Sequence, residues 1–282
     1  MNISRLSLLL AFAGFGLTAC DNVDEGERFE GPLDLEEVLA KSEKNVLIED
    51  FTGQRCTNCP NAAQKIHEFQ EQYGKDRVIA VAIHGGGFGV DEIKPNGQPN
   101  PNGLANETGK DYYNRWNIKA QPKGLVDRSS GTDGGLDLDL WQGAVVTRFL
   151  NALTLKADVE VARVNYDAAT RKLALEVKVE GKTSVAGNLQ VWLTESNIVK
   201  LQAMPDGTNN RNYVHNHVFR ASVNDPYGDP MTLDADQEQI KTYEFTLKEG
   251  WVPEEMAIVA FLYNSTDGVI QVTEAPVLST QN

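Results

Sequence analysis

Apolar positions along the chain fall into two textures. Up to about residue 153, continuous apolar runs alternate with segments of helical spacing. Residues 46–51 (VLIEDF) and 78–83 (VIAVAI) read as strands, the second with the unbroken apolar character of a central strand covered on both faces. Between them, Ala62, Ala63, Ile66, Phe69 and Tyr73 recur at helical spacing over 61–73, and Gly74 stands where a helix would be capped. A loop rich in Gly, Pro and Asn spans 85–103. A polar helix is predicted over 105–116, a short strand over 124–127 and a last helix over 139–153. Such alternation means an α/β domain. From about residue 156 the runs become short and alternate apolar with polar: VEVARVNY, KLALEVKVE, NLQVWLTE, YVHNHVFRA, KTYEFTLKE, MAIVAFLYN and GVIQVTEA. Seven such strands suggest an immunoglobulin-like β-sandwich. The predicted fold class is therefore α/β plus all-β, with one domain over 35–154 and the other over 155–282.

The N-terminus has its own pattern. Arg5 precedes an apolar stretch, residues 6–17, broken only by Ser7, Gly14 and Gly16. It falls short of the roughly 20 apolar residues a membrane span needs, so residues 1–19 read as a cleaved signal peptide. The run Leu17-Thr18-Ala19-Cys20 looks like a bacterial lipobox, in which the Cys is lipidated and becomes the new N-terminus. Several acyl chains on Cys20 would anchor the protein firmly, since each buried CH2 contributes about 0.8 kcal/mol. Residues 20–34 form an acidic, Gly-containing tether with little to bury. The acidic residues after Cys20 also resemble the surface-export signal of Bacteroidota lipoproteins.

A net charge of −14 and the absence of any basic run argue against nucleic-acid binding. The acidity serves solubility. Of three cysteines, Cys20 belongs to the lipobox, which leaves Cys56 and Cys59 with no other thiol in the chain to compete for them. Export puts that pair where disulfides persist. One CxxC without a second Cys pair or a spaced His pair is a poor zinc site. No cofactor is expected.

The segment IEDFTGQRCTNCPNAAQKI places CxxC after a buried strand and at the start of an amphipathic helix. Unpaired N–H groups and partial positive charge at a helix start favour a thiolate. Thiols so placed have pKa values of roughly 3.5–7.5 against about 8.5 for a free Cys, and Arg55 would push the same way. The CxxC is then either redox-active or a static bridge closing a short turn, whose entropic contribution is modest.

His67 reads as a surface residue; His84 ends a strand near where an α/β site would lie, and reads either as a satisfied strand-end residue or as one in contact with the disulfide region. His215 and His217 alternate in YVHNHVFR, so a strand there would point both to one face, but no third ligand is evident and no metal site is assigned. The carboxylates at 133–139 and 224–230 fit no calcium-loop spacing and read as polar turns.

The CxxC segment resembles the thioredoxin fold in detail. Asp50-Phe51 stands at the thioredoxin spacing from Cys56, and the run Trp116 to Pro122 resembles the stretch that carries the thioredoxin cis-Pro. The resemblance implies that Cys56 is an exposed nucleophile, Cys59 the resolving thiol, Asp50 a buried acid assisting proton transfer, and Pro122 a cis residue shaping a substrate groove. Thioredoxins have Trp before the first Cys, Gly-Pro between the two, and Thr after the cis-Pro. Here Arg55, Thr57-Asn58 and Lys123 stand instead, and the 85–103 loop looks like an insertion near the same end of the sheet.

Lipobox, acidic tether, CxxCP segment, cis-Pro run and YVHNHVFRA together resemble the Bacteroidota outer-membrane lipoproteins related to the twenty-eight-kilodalton outer-membrane protein. That resemblance implies an outer-membrane location, lipid-anchored and either periplasmic or surface-exposed, and a thioredoxin-like domain followed by a β-sandwich. Two functions compete. One is a surface interaction protein or antigen that binds a protein or glycan. The other is a thiol–disulfide oxidoreductase acting on exported proteins through Cys56 and Cys59.

Overall fold

A computed structural model describes residue 39 and residues 42–129, 134–151 and 154–278. The signal segment, Cys20 and the acidic tether lie outside the described residues, as do 152–153 at the end of the last predicted helix.

Strand β1 (Val46–Thr52) is buried at every position. It pairs in parallel with β2 (Val78–His84), from Val46 opposite Val78 to Thr52 opposite His84. The crossover between them is α1 (Cys59–Tyr73), which starts two residues earlier than its apolar periodicity indicates. Pro60 explains the early start, because a first-turn residue needs no N–H partner. Helix α2 (Glu107–Arg115) follows the long loop, β3 (Lys123–Val126) runs antiparallel to β1, and α3 (Trp141–Leu150) ends this part.

The second texture forms ten strands: β4 (Ala157–Asp167), β5 (Lys172–Gly181), β6 (Val185–Glu195), β7 (Ile198–Ala203), β8 (Asn209–His215), β9 (Val218–Ser222), β10 (Asp229–Leu233), β11 (Glu238–Thr246), β12 (Met256–Asn264) and β13 (Gly268–Pro276). The large sheet runs β13-β12-β6-β9-β2-β1-β3, with β10 also on β6; β11-β5-β4 form a second sheet, and β7-β8 a two-stranded third. The two textures thus meet in one mixed sheet. The seam is β9, which lies antiparallel to β6 and touches β2 in parallel at Ala82 and Val218.

Alternation along the strands supplies both faces. On one face, Leu47, Phe51, Ile79, Val81, Trp192, Phe219, Val259 and Phe261 pack with Tyr112 and Tyr113 of α2. On the other, Ile48 and Ala80 pack under α1 and α3 through Ile66, Phe69, Trp141 and Phe149. Farther along that face, Val191, Leu193, Ile258 and Ala260 meet Val159, Leu173, Leu175 and Val177 of the second sheet.

Three details depart from the sequence reading. The run YVHNHVFRA is not one strand. It breaks at Asn216-His217, where His217 has φ 55°, sending β8 to β7 and β9 into the large sheet. The other two are β7 and β10, which lay outside the seven runs. β7 alternates weakly, and β10 begins inside the Asp-Pro turn segment.

Candidate functional site

Cys56 closes the turn before α1 and Cys59 is the first residue of that helix; the two are joined in a disulfide. The peptide bond before Pro122 is cis. Cys56 is not exposed, contrary to what the thioredoxin resemblance implies. It is 3 % accessible and Cys59 is 2 % accessible.

Two pieces of the chain pack over the turn that carries the pair. The β7–β8 hairpin lays Gln202 over the turn, where its Nε2 donates to the carbonyls of Cys56 at 2.9 Å and Gly53 at 3.4 Å. The Ala203 amide donates to the carbonyl of Gln54 at 2.8 Å. From the other side, the 85–103 loop is tied down by Arg55 N–H to Phe88 O at 3.0 Å, by Val90 N–H to Gln54 Oε1 at 3.1 Å, and by Gln54 Nε2 to Asn102 O. Gly53 fits only as glycine here, since a Cβ would come within 2.5 Å of the Phe88 backbone.

Behind the disulfide lies a cavity of about 500 Å3 between α1, the ends of β1 and β2, and the hairpin. Asp50, Cys59, Gln70, Gln202 and Tyr213 contribute to its wall. So do His67, His84, His215 and His217, which are all four histidines of the chain. Asp50 is fully buried rather than an exposed strand-end carboxylate; its Oδ1 has no hydrogen-bond partner, and burial pushes its pKa up to about 8. His84 Nδ1 and His215 Nε2 also lack partners, although both side chains are buried. Burial and then the neighbouring His215 hold the pKa of His84 well down. Burial brings His215 and His217 down to about 4. At neutral pH the lining is therefore uncharged at these groups, an arrangement of mixed hydrogen-bonding capacity inside an apolar shell. Among the described residues no three His, Cys, Asp or Glu side chains are grouped to hold a metal ion.

Two further buried charge sites escaped the sequence reading. Glu49, inside the apolar run of β1, accepts from Arg128 Nε and Nη2, both at 2.8 Å. Asp127 accepts from the Leu47 amide at 2.7 Å and pairs with Lys44 at 3.0 Å and Arg148 at 2.9 Å. A carboxylate within VLIEDF was the one visible signal for the first. Nothing in the sequence pointed to Gln202; His84 alone was readable as a residue near the disulfide, and its convergence with histidines of α1 and the β8–β9 break left no signal.

These features define a mixed α/β and β-rich protein whose disulfide turn is covered by the β7–β8 hairpin and the 85–103 loop. The chain belongs to the outer membrane protein Omp28 family, a Bacteroidota family whose sequence profile matches residues 109–281. It is accordingly an outer-membrane protein, and among the described residues no helix is long and apolar enough to cross a membrane. Its fold is similar to that of HBP35 of Porphyromonas gingivalis (TM-score 0.58, 16 % identity, 83 % of this chain and 75 % of that one). A domain of the outer membrane lipoprotein Omp28 from the same organism also matches (TM-score 0.32, 22 % identity, 43 % of this chain and 95 % of that one). No curated protein matches the chain.

Proposed function

We propose that this protein is a lipid-anchored surface interaction protein of the outer membrane, held through Cys20 by the 20–34 tether. In this reading a thioredoxin-like domain (35–154) and an immunoglobulin-like β-sandwich (155–282) form its scaffold. The observation that carries it is the β7–β8 hairpin. It packs on the disulfide turn through Gln202, and it shows a cross-strand apolar pair, Val199 opposite Val214, 58 % and 44 % exposed, with Val214 at the mouth of the cavity. Among the described residues β7 and β8 pair as strands only with each other, and since β7 is tied to Gln54 at Ala203, it is the outer edge of β8 that can take an added strand. Thiol–disulfide exchange needs a thiolate to reach a sulfur directly, and the burial of both cysteines hinders that approach. The Cys56–Cys59 bridge in this reading staples the turn on which the hairpin sits.

Protease shaving of intact cells, followed by blotting for the domain, tests the surface location. Loss of the band is expected; full protection sinks the reading. Insulin reduction by the purified chain should stay at background, and turnover abolished by Cys56→Ser would restore the oxidoreductase alternative.

A further inference from the structure

The cavity behind the disulfide brings together residues that lie far apart in sequence. His84 ends β2 and His215 ends β8, yet their ring centres are 5.3 Å apart, edge to face. One nitrogen of each ring is left without a partner, Nδ1 on His84 and Nε2 on His215. Both rings are buried, and both line the cavity. Two imidazoles holding one ion at about 2.0–2.1 Å have ring centres roughly 5 Å apart at a tetrahedral angle. The spacing of this pair fits.

We propose that His84 and His215 form a bis-imidazole site for a divalent transition-metal ion, reached through the cavity beside the disulfide. Imidazole donors suit zinc, copper and nickel rather than magnesium or calcium. The chain supplies two ligands, in keeping with the lack of a cluster of three among the described residues, and the remaining positions fall to water or to a small molecule entering the cavity. The entrance lies between α1 and the hairpin, where Ala63, Gln64, His67, Val214 and Asn216 line the cavity and are exposed to solvent. His67 at this rim is a surface group, so it serves as the control. The site is independent of the surface-interaction reading, which stands or falls on exposure at the cell.

The test is equilibrium dialysis of the full mature chain against Zn2+, with visible absorption of Co2+ as a second probe. One ion per chain is expected. Affinity should fall at least tenfold in His84→Gln and in His215→Gln, and stay within twofold in His67→Gln. Long-range 15N–1H spectra of the unaltered chain should show Zn2+ shifting His84 Nδ1 and His215 Nε2. This measurement decides the matter if either variant fails to fold. Absence of Zn2+ binding, unchanged affinity in both folded variants, or shifts confined to His67 and His217 would overturn the site.

Discussion

The side-chain amide of Gln202 donates to the main-chain carbonyl of Cys56 at 2.9 Å, tying a strand of the second half of the chain to the CxxC turn of the first. Gln202 is itself buried, and its Nε2 also reaches the carbonyls of Gly53 and Ala203. Truncating it to Ala leaves those carbonyls without their buried donor, at about 1–3 kcal/mol. It also loosens the cover over the sulfurs. Gln202→Ala should therefore speed reduction of the disulfide by dithiothreitol at least tenfold under native conditions. Quantifying free thiols over time measures this, and an unchanged rate would mean that the hairpin is not the barrier.

The ion pair between Glu49 and Arg128 makes a second prediction. Both partners are buried, and the guanidinium carbon stands 5.1 Å from the ring centre of Trp116, 5.4 Å from Trp192, 4.9 Å from Phe261 and 4.3 Å from Tyr263. Glu49→Gln strands a cation in this cage, a loss on the order of 3–5 kcal/mol for a broken buried pair. Glu49→Gln combined with Arg128→Met should cost well under the sum of the single changes, because neither then leaves an uncompensated charge. Urea denaturation of the four proteins checks this. Additive losses would show that the pair is not coupled.

Legibility from sequence followed the range of the physics. β1, α1, β2 and the other helices were readable because burial on both faces or on one stripe imposes a local period. The CxxC, Asp50 and Pro122 were readable because their spacing is local as well. The sealing of Cys56 was not, since it depends on Gln202, whose partners are about 150 positions away. The pair His215 and His217 was misread for a similar reason. An alternating pattern implied one strand through His215 and His217, but a left-handed residue at His217 divides it, and only the resulting split brings His215 to His84. Cross-strand register and main-chain breaks of this kind leave no periodic trace.

Asp50 gives a pH-dependent prediction. Its carboxyl has a folded value of about 8 against an ordinary 3.8, raised by burial. A raised carboxyl favours the folded state below the ordinary value, and that stability is lost as pH rises through the folded one. Asp50→Asn cannot ionise, so its stability relative to the wild type should climb between about pH 4 and pH 8 and level off above, reaching a few kcal/mol in favour of the variant. Chemical denaturation in the presence of a chelator, at four pH values across this range, reads the difference. A constant gap would show that Asp50 ionises normally.

Gly268 opens β13, and the start of that strand meets the chain leaving β3. Val269 N–H donates to Asp127 O at 2.6 Å, while Arg148 Nη2 donates to the carbonyls of Asp267 and Val269, each at 2.9 Å, and its Nε to Asp127 Oδ2 at 2.9 Å. The far edge of the second half is thus fastened to the carboxylate beside β1. Gly268 has φ 70°, and a Cβ there would lie 2.2 Å from the Asp127 carbonyl oxygen. Relieving that overlap means moving the carbonyl that Val269 uses, so strain and a lost hydrogen bond act together. Gly268→Ala should cost more than the ~1–3 kcal/mol of a left-handed non-glycine residue alone. Arg148→Met, which releases the same junction without touching its backbone, should cost less. Thermal melts of the two variants order these effects, and a Gly268→Ala protein as stable as the wild type would show that the junction yields freely.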